Sequence, residues 1–159
     1  MIDELLCKVF CWERNESFLE HSEGRTYTDY ELGSPRIAII EAKKEGVTFD
    51  LPIQAKPTLK KAIKSIFISS AEAKEAIEQA SAYCQSRGVP IAIVSNGHQF
   101  IAFIASRTDG LSVYDSNAFV LESLNHLREN FALAWKLLSK AGIQTRNLMS
   151  YLGKQNAIP

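Results

Sequence analysis

Within the stretch RIAIIEAKKEG, residues 36–46, the four residues Ile37 to Ile40 are all apolar. A strand with apolar side chains in both directions has no face to give to water, so it belongs inside a sheet covered on both sides. The run then meets Glu41, Ala42, Lys43 and Lys44. Period two puts Glu41 and Lys43 on the same side of that strand. A carboxylate and an ammonium delivered there by a buried element are costly unless paired, solvated at a rim or bound to a metal. The rest of the chain must supply the covering layers and a reason for the charged end.

Ile2, Leu5, Leu6, Val9 and Phe10 recur at helical intervals and predict an amphipathic helix over residues 2–11. SFLEHS and RTYTDYEL alternate with a period near two around Glu23-Gly24 and read as an antiparallel pair. Gly33-Ser34-Pro35 turns the chain into the strand that starts at Ile37, giving a three-strand meander. Pro52 and Pro57 break the next segment, and TLKKAIKSIF predicts a short basic helix from Thr58. A long helix follows, with Ser69 and Glu72 as a capping box and Gly88 as its stop. The apolar runs on either side of Asn96-Gly97 read as a hairpin, with Leu111 to Tyr114 as a weaker third strand. Asp115 or Ser116 is expected to cap helical turns leading into ESLNHLRENFALAWKLLSK, where Leu124, Leu127, Phe131, Ala134, Trp135 and Leu138 form one apolar stripe. A short helix from Thr145 to Leu152 ends at Gly153, and KQNAIP reads as the start of a linker. The order predicts an α/β or α+β fold, one sheet sandwiched between helices in a single domain.

At 159 residues and 46% apolar content the chain can bury a core without staples. Cys7, Cys11 and Cys84 lack disulfide or zinc spacing and read as small buried hydrophobes in a reducing compartment. No stretch approaches the ~20 apolar residues of a bilayer span, and no basic-then-apolar leader opens the chain, so the expected location is cytoplasmic. Formal net charge is zero, which excludes a global polyanion-binding signature. Locally, however, Lys43, Lys44, Lys56, Lys60, Lys61 and Lys64 stand against only Glu45 and Asp50. Trp12 and Trp135 lie in apolar helical contexts and are expected in the core. His21, His98 and His126 show no ligand spacing, and no glycine-rich phosphate loop is present.

Asp29 lies twelve positions before Glu41, with the turn at Gly33–Ser34 about midway. In antiparallel neighbours these carboxylates can face each other across the ladder, where they repel unless a cation sits between them. Hard divalent ions such as Mg²⁺ prefer such oxygens, and the peptide carbonyl of Ala42 is a further donor. Lys43 beside that ion could hold a water or neutralise charge on a transferring phosphate. In the long helix, Gln79 and Tyr83 are four apart and share a face. They are either an ordinary surface pair or two polar tips aimed at the strand ends.

Asp29, IIEAKK with Glu41 and Lys43, and QASAY with Gln79 and Tyr83 together resemble the PD-(D/E)XK nuclease superfamily, in its Q-x-x-x-Y branch. That branch includes nuclease domains of type I restriction-enzyme motor subunits and of recombination-repair helicase–nucleases. GVPIAIVSNGHQFIAF resembles the strand pair after the Q-x-x-x-Y helix, and LRENFALAWKLLSKAG the end of nuclease domains fused to bacterial P-loop ATPases. The resemblance spans residues 1–140 in order, with Thr28 standing where the family often has Pro. It implies a restriction-endonuclease-like mixed central sheet flanked by helices, with a nuclease domain over 1–142 and a C-terminal helix and linker over 143–159. It implies Mg²⁺, with Mn²⁺ as a substitute, held by Asp29, Glu41 and the Ala42 carbonyl. Lys43 would assist the attacking water, while Gln79 and Tyr83 would position the substrate. An acid of the first helix would also contribute, with Glu4 the nearest candidate and Asp3 its competitor. Lys44, Lys60, Lys61 and Lys64 would guide the DNA backbone. The implied activity is endonucleolytic DNA hydrolysis in a restriction or defence protein, with a fused or separate ATPase motor or specificity domain as partner. The alternatives are a catalytically inactive nuclease-like module that binds nucleic acid or a partner protein, and an assembly domain docking through helix 122–140.

Overall fold

The computed structural model describes residues 8–12, 17–23, 26–33, 35–43, 46–51, 59–107 and 109–153, with the side chains of 17–23 and 26–29 outside that description. Its strands are β1 (Ser17–Glu23), β2 (Thr26–Leu32), β3 (Ala38–Ala42), β4 (Lys60–Ala62), β5 (Ile91–Ser95), β6 (Phe100–Ile104) and β7 (Asn117–Leu121). Its helices are α1 (Ile63–Ser69), α2 (Ala71–Arg87), α3 (Leu124–Glu129), α4 (Phe131–Leu138), α5 (Lys140–Gln144) and α6 (Asn147–Gly153). The strands form one mixed sheet in the order β1-β2-β3-β5-β6-β7-β4. Only β3 and β5 are parallel among these pairs; the other neighbours are antiparallel. A parallel pair needs a long crossover, and the chain from β3 to β5 supplies it through β4, α1 and α2.

β3 is central, as its composition requires. Ile39 is fully buried on one side and Ile40 is 2% exposed on the other, each stabilising the fold by about 1.5–3 kcal/mol through burial. Ile39 packs with Ile63, Ile66, Ala76, Ala80, Tyr83 and Cys84 beneath α1 and α2. Ala38 and Ile40 pack with Phe10, Trp12, Leu137, Leu138, Leu148 and Leu152 on the opposite face. Trp12 is 2% exposed and donates its indole N–H to the Leu138 carbonyl at 3.2 Å. Ile143, Leu148 and Leu152 belong to this second core, so residues 143–153 complete the domain that the sequence reading ended at 142.

Several expectations are corrected. The helix α2 is capped by Ser70, whose hydroxyl accepts from the Ala73 N–H at 3.1 Å, and not by Ser69, which bonds back to the Ile66 carbonyl. Gly88 closes it in the left-handed conformation, φ 70°, where a Cβ is unfavourable. The basic helix expected from Thr58 begins instead with edge strand β4, which pairs with β7. Leu111 to Tyr114 leads into a turn held by Ser112 and Asp115, and the third strand of this half is β7. The cap after it is Ser123, which accepts from the His126 N–H. The Asn96-Gly97 hairpin forms, but Ser95 pairs with Phe100, so its loop holds four residues. The Asn96 carboxamide oxygen accepts from the N–H groups of His98 and Gln99, an Asx turn in place of a two-residue turn. The single C-terminal helix is divided at Asn130, whose backbone leaves the helical region (φ −117°, ψ 30°) while its N–H and its side-chain amide both donate to the His126 carbonyl. Phe131 and Trp135 are 45% and 40% exposed on α4, and Cys11 is exposed, contrary to their expected burial. The expected helix 2–11 lies outside the described residues up to residue 7, and so do Cys7 and the tail from 154. No helix among the described residues is long and apolar enough to cross a membrane.

Candidate active site

The charged end of β3 reaches the rim where β3, β2 and the middle of α2 converge. Parallel pairing sets Glu41 against Val94 and Ala42 against Ser95, and the Lys43 N–H donates to the Ser95 carbonyl at 2.7 Å. The ladder therefore fixes the backbone one residue past the strand. Glu41 shares the α2 face with Ile39 by period two, and it is 9% exposed. The Lys43 ammonium lies 3.5 Å from the Glu41 carboxylate.

Gln79 meets this pair from above. Its side-chain carbonyl accepts from the Lys43 ammonium at 2.8 Å, and its amide donates to Glu75 at 3.4 Å. Lys43 thus stands between a carboxylate and a neutral acceptor, with a quarter of its side chain still open to solvent. That arrangement holds a cation at the rim in one place, which a free lysine would not do.

Tyr83 does not join them. One turn along α2, its hydroxyl donates at 2.8 Å to Glu31, a carboxylate only 5% exposed. Arg36 approaches the other oxygen of Glu31 at 3.9 Å and donates to the Gly33 carbonyl. The Arg87 guanidinium stands 5.3 Å from the centre of the Tyr83 ring. Glu31 and Arg36 are the site residues that sequence reasoning missed. One signal was present: Glu31 is two residues from Asp29 on the same strand and so shares its face.

The β2–β3 ladder pairs Leu32 with Ala38, Glu31 with Ile39 and Tyr30 with Ile40, and it ends there, one residue short of Asp29 and Glu41. The Asp29 side chain, Glu4 and Lys44 lie outside the described residues. Among the described residues no three His, Cys, Asp or Glu side chains gather closely enough to hold a metal. Mg²⁺ is usually held by one or two carboxylates, with waters and phosphate completing the shell. Among the described residues, Glu41 and the Ala42 carbonyl are oxygen donors of the right hardness for it.

The lysines after the strand disperse. β4 lies four strands from β3 in the sheet, about 19 Å at the usual strand spacing. Lys60 donates to the Tyr151 carbonyl at 2.9 Å and stands 4.4 Å over that ring. Lys61 is 2% exposed and pairs with Glu122 at 3.1 Å. Lys64 pairs with Asp115 at 2.8 Å, and that contact raises the lysine pKa and lowers that of the aspartate. These three lysines are held by partners at the far edge of the sheet, away from Glu41. A scan against protein-family models matches none, and neither curated proteins nor solved structures give a match.

Proposed function

We propose that this chain is a Mg²⁺-dependent nuclease domain of the PD-(D/E)XK type, acting on DNA phosphodiester bonds in the cytoplasm alongside a motor or specificity partner. The observation that carries the reading is the convergence of Glu41, Lys43 and Gln79 at the rim of a central strand, just past the last β2–β3 pair, Tyr30 with Ile40. Asp29, Glu41 and the Ala42 carbonyl would hold the ion. When bound, magnesium supplies Lewis-acid stabilisation of phosphoryl oxygens and makes water easier to deprotonate. Lys43 presents its ammonium to a scissile phosphate, where it offsets the charge that grows in the transition state. Gln79 acts as the positioning residue for Lys43, since its carbonyl oxygen is spent on that ammonium. Tyr83 locks α2 onto β2 through Glu31.

The test is cleavage of a supercoiled plasmid in Mg²⁺. The wild type is expected to nick or linearise it, and Lys43→Ala to lose at least a hundredfold in rate with its Tm kept. Equal cleavage by Lys43→Ala would remove the reading. A second reading, an assembly module, is favoured by one observation: Phe131 and Trp135, four apart on α4, present an exposed apolar pair. It predicts that Phe131→Ser with Trp135→Ser changes the sedimentation of the protein and leaves cleavage unaltered.

A further inference from the structure

At the end of the sheet opposite Glu41, two adjoining cavities of about 310 and 390 Å³ share Pro90, Arg146 and Met149. Their apolar walls include Ile37, Ile91 and Ile143 in one and Ile104 in the other. Of the two arginines that line them, Arg107 is already taken, donating to both carboxylate oxygens of Asp109 at 3.0 and 3.2 Å. The Arg146 guanidinium is exposed and has no hydrogen bond or ion pair among the described residues.

Arg146 also has an unusual backbone. It joins α5 to α6 with φ 61°, in the left-handed region, and Cys11 is the other non-glycine there among the described residues. Glycine is the default at such a helix end, because an L side chain strains there. Strain of this kind marks sites where the side chain is wanted for something other than stability. Here the strained residue places a lone cation over a trough of mixed lining, with Gln144 in one part and Ser106 and the Arg107–Asp109 pair in the other, and each part is of ligand size.

We propose that this groove binds a small monoanionic amphiphile, a carboxylate on a short apolar chain. The Arg146 guanidinium meets the carboxylate in its forked geometry, and the tail lies on the isoleucines and Met149. Charge complementarity selects this occupant. One unpartnered guanidinium offsets one negative charge, while the apolar walls penalise a multiply charged, strongly hydrated anion.

The test is calorimetric titration of octanoate into the full chain, with octanol and octyltrimethylammonium as neutral and cationic probes of the same tail. Octanoate is expected to bind at least tenfold more tightly than octanol, and the cation not at all. Arg146→Gly and Arg146→Gln should each weaken octanoate at least tenfold. Arg146→Gly should keep the Tm or raise it, because glycine relieves the left-handed strain. The glutamine variant keeps the backbone cost and isolates the charge. No octanoate binding by the wild type, equal binding of octanoate and octanol, or octanoate binding untouched in both variants would overturn the proposal.

Discussion

Glu31 shows how a single buried carboxylate organises the neighbourhood of the candidate site. It accepts from Tyr83 at 2.8 Å and faces Arg36, so two elements that meet at the rim are tied through one side chain. Tyr83→Phe removes that donor while the carboxylate stays buried, and the expected cost is about 1–3 kcal/mol of unfolding free energy, read from urea denaturation. A cycle with Glu31→Gln should return a coupling of about 1 kcal/mol. A Tyr83→Phe protein as stable as the wild type would mean that the contact contributes nothing. That Glu41 and Lys43 share a side was legible in the sequence because period two fixes it, whereas Gln79 was singled out by the family resemblance and its contact with Lys43 by no local pattern. The partner of Tyr83 was not legible, because it depends on how α2 lies across β2, which no local pattern encodes.

Elements with strong local signals formed where the sequence placed them. β3 follows from its apolar run, α2 from its composition and Gly88, and the β5–β6 hairpin from its two apolar halves. Elements whose identity rests on distant pairing were misread. β4 is a strand because Lys60 to Ala62 finds β7, 55 to 59 residues later in the chain, and nothing within TLKKAIKSIF announces that partner. The break at Asn130 likewise turns on the backbone of one residue, φ −117° and ψ 30°, which no periodicity in the apolar stripe signals. The start of α2 gives a direct check at this scale. Ser70→Ala should cost about 1 kcal/mol, whereas Ser69→Ala should stay within about 0.5 kcal/mol. The reverse order would move the cap back to Ser69.

At the scale of the molecule, the sheet separates what the sequence puts side by side. Lys43 stays at the rim of β3, while Lys60, Lys61 and Lys64 are carried to the opposite edge and paired there. The fold also sets a pH limit. Burial pushes the Cys84 thiol from its ordinary value of 9.0 up to about 12, so the folded state keeps a proton that the unfolded chain gives up first. Its contribution is therefore complete below about pH 9 and is lost as pH rises toward about 12, by up to about 1.4 kcal/mol per pH unit. Cys84→Ala should flatten that alkaline slope in a series of urea melts, and an unchanged slope would assign it to other groups. The central claim, that the rim of β3 is a metal-dependent phosphodiesterase site, is tested most directly by calorimetric titration of Mg²⁺ and Mn²⁺ in the presence of duplex DNA. The account predicts binding by the wild type that disappears in the Asp29→Ala, Glu41→Ala double variant. Absence of binding by the wild type, or binding that survives in the double variant, would contradict it.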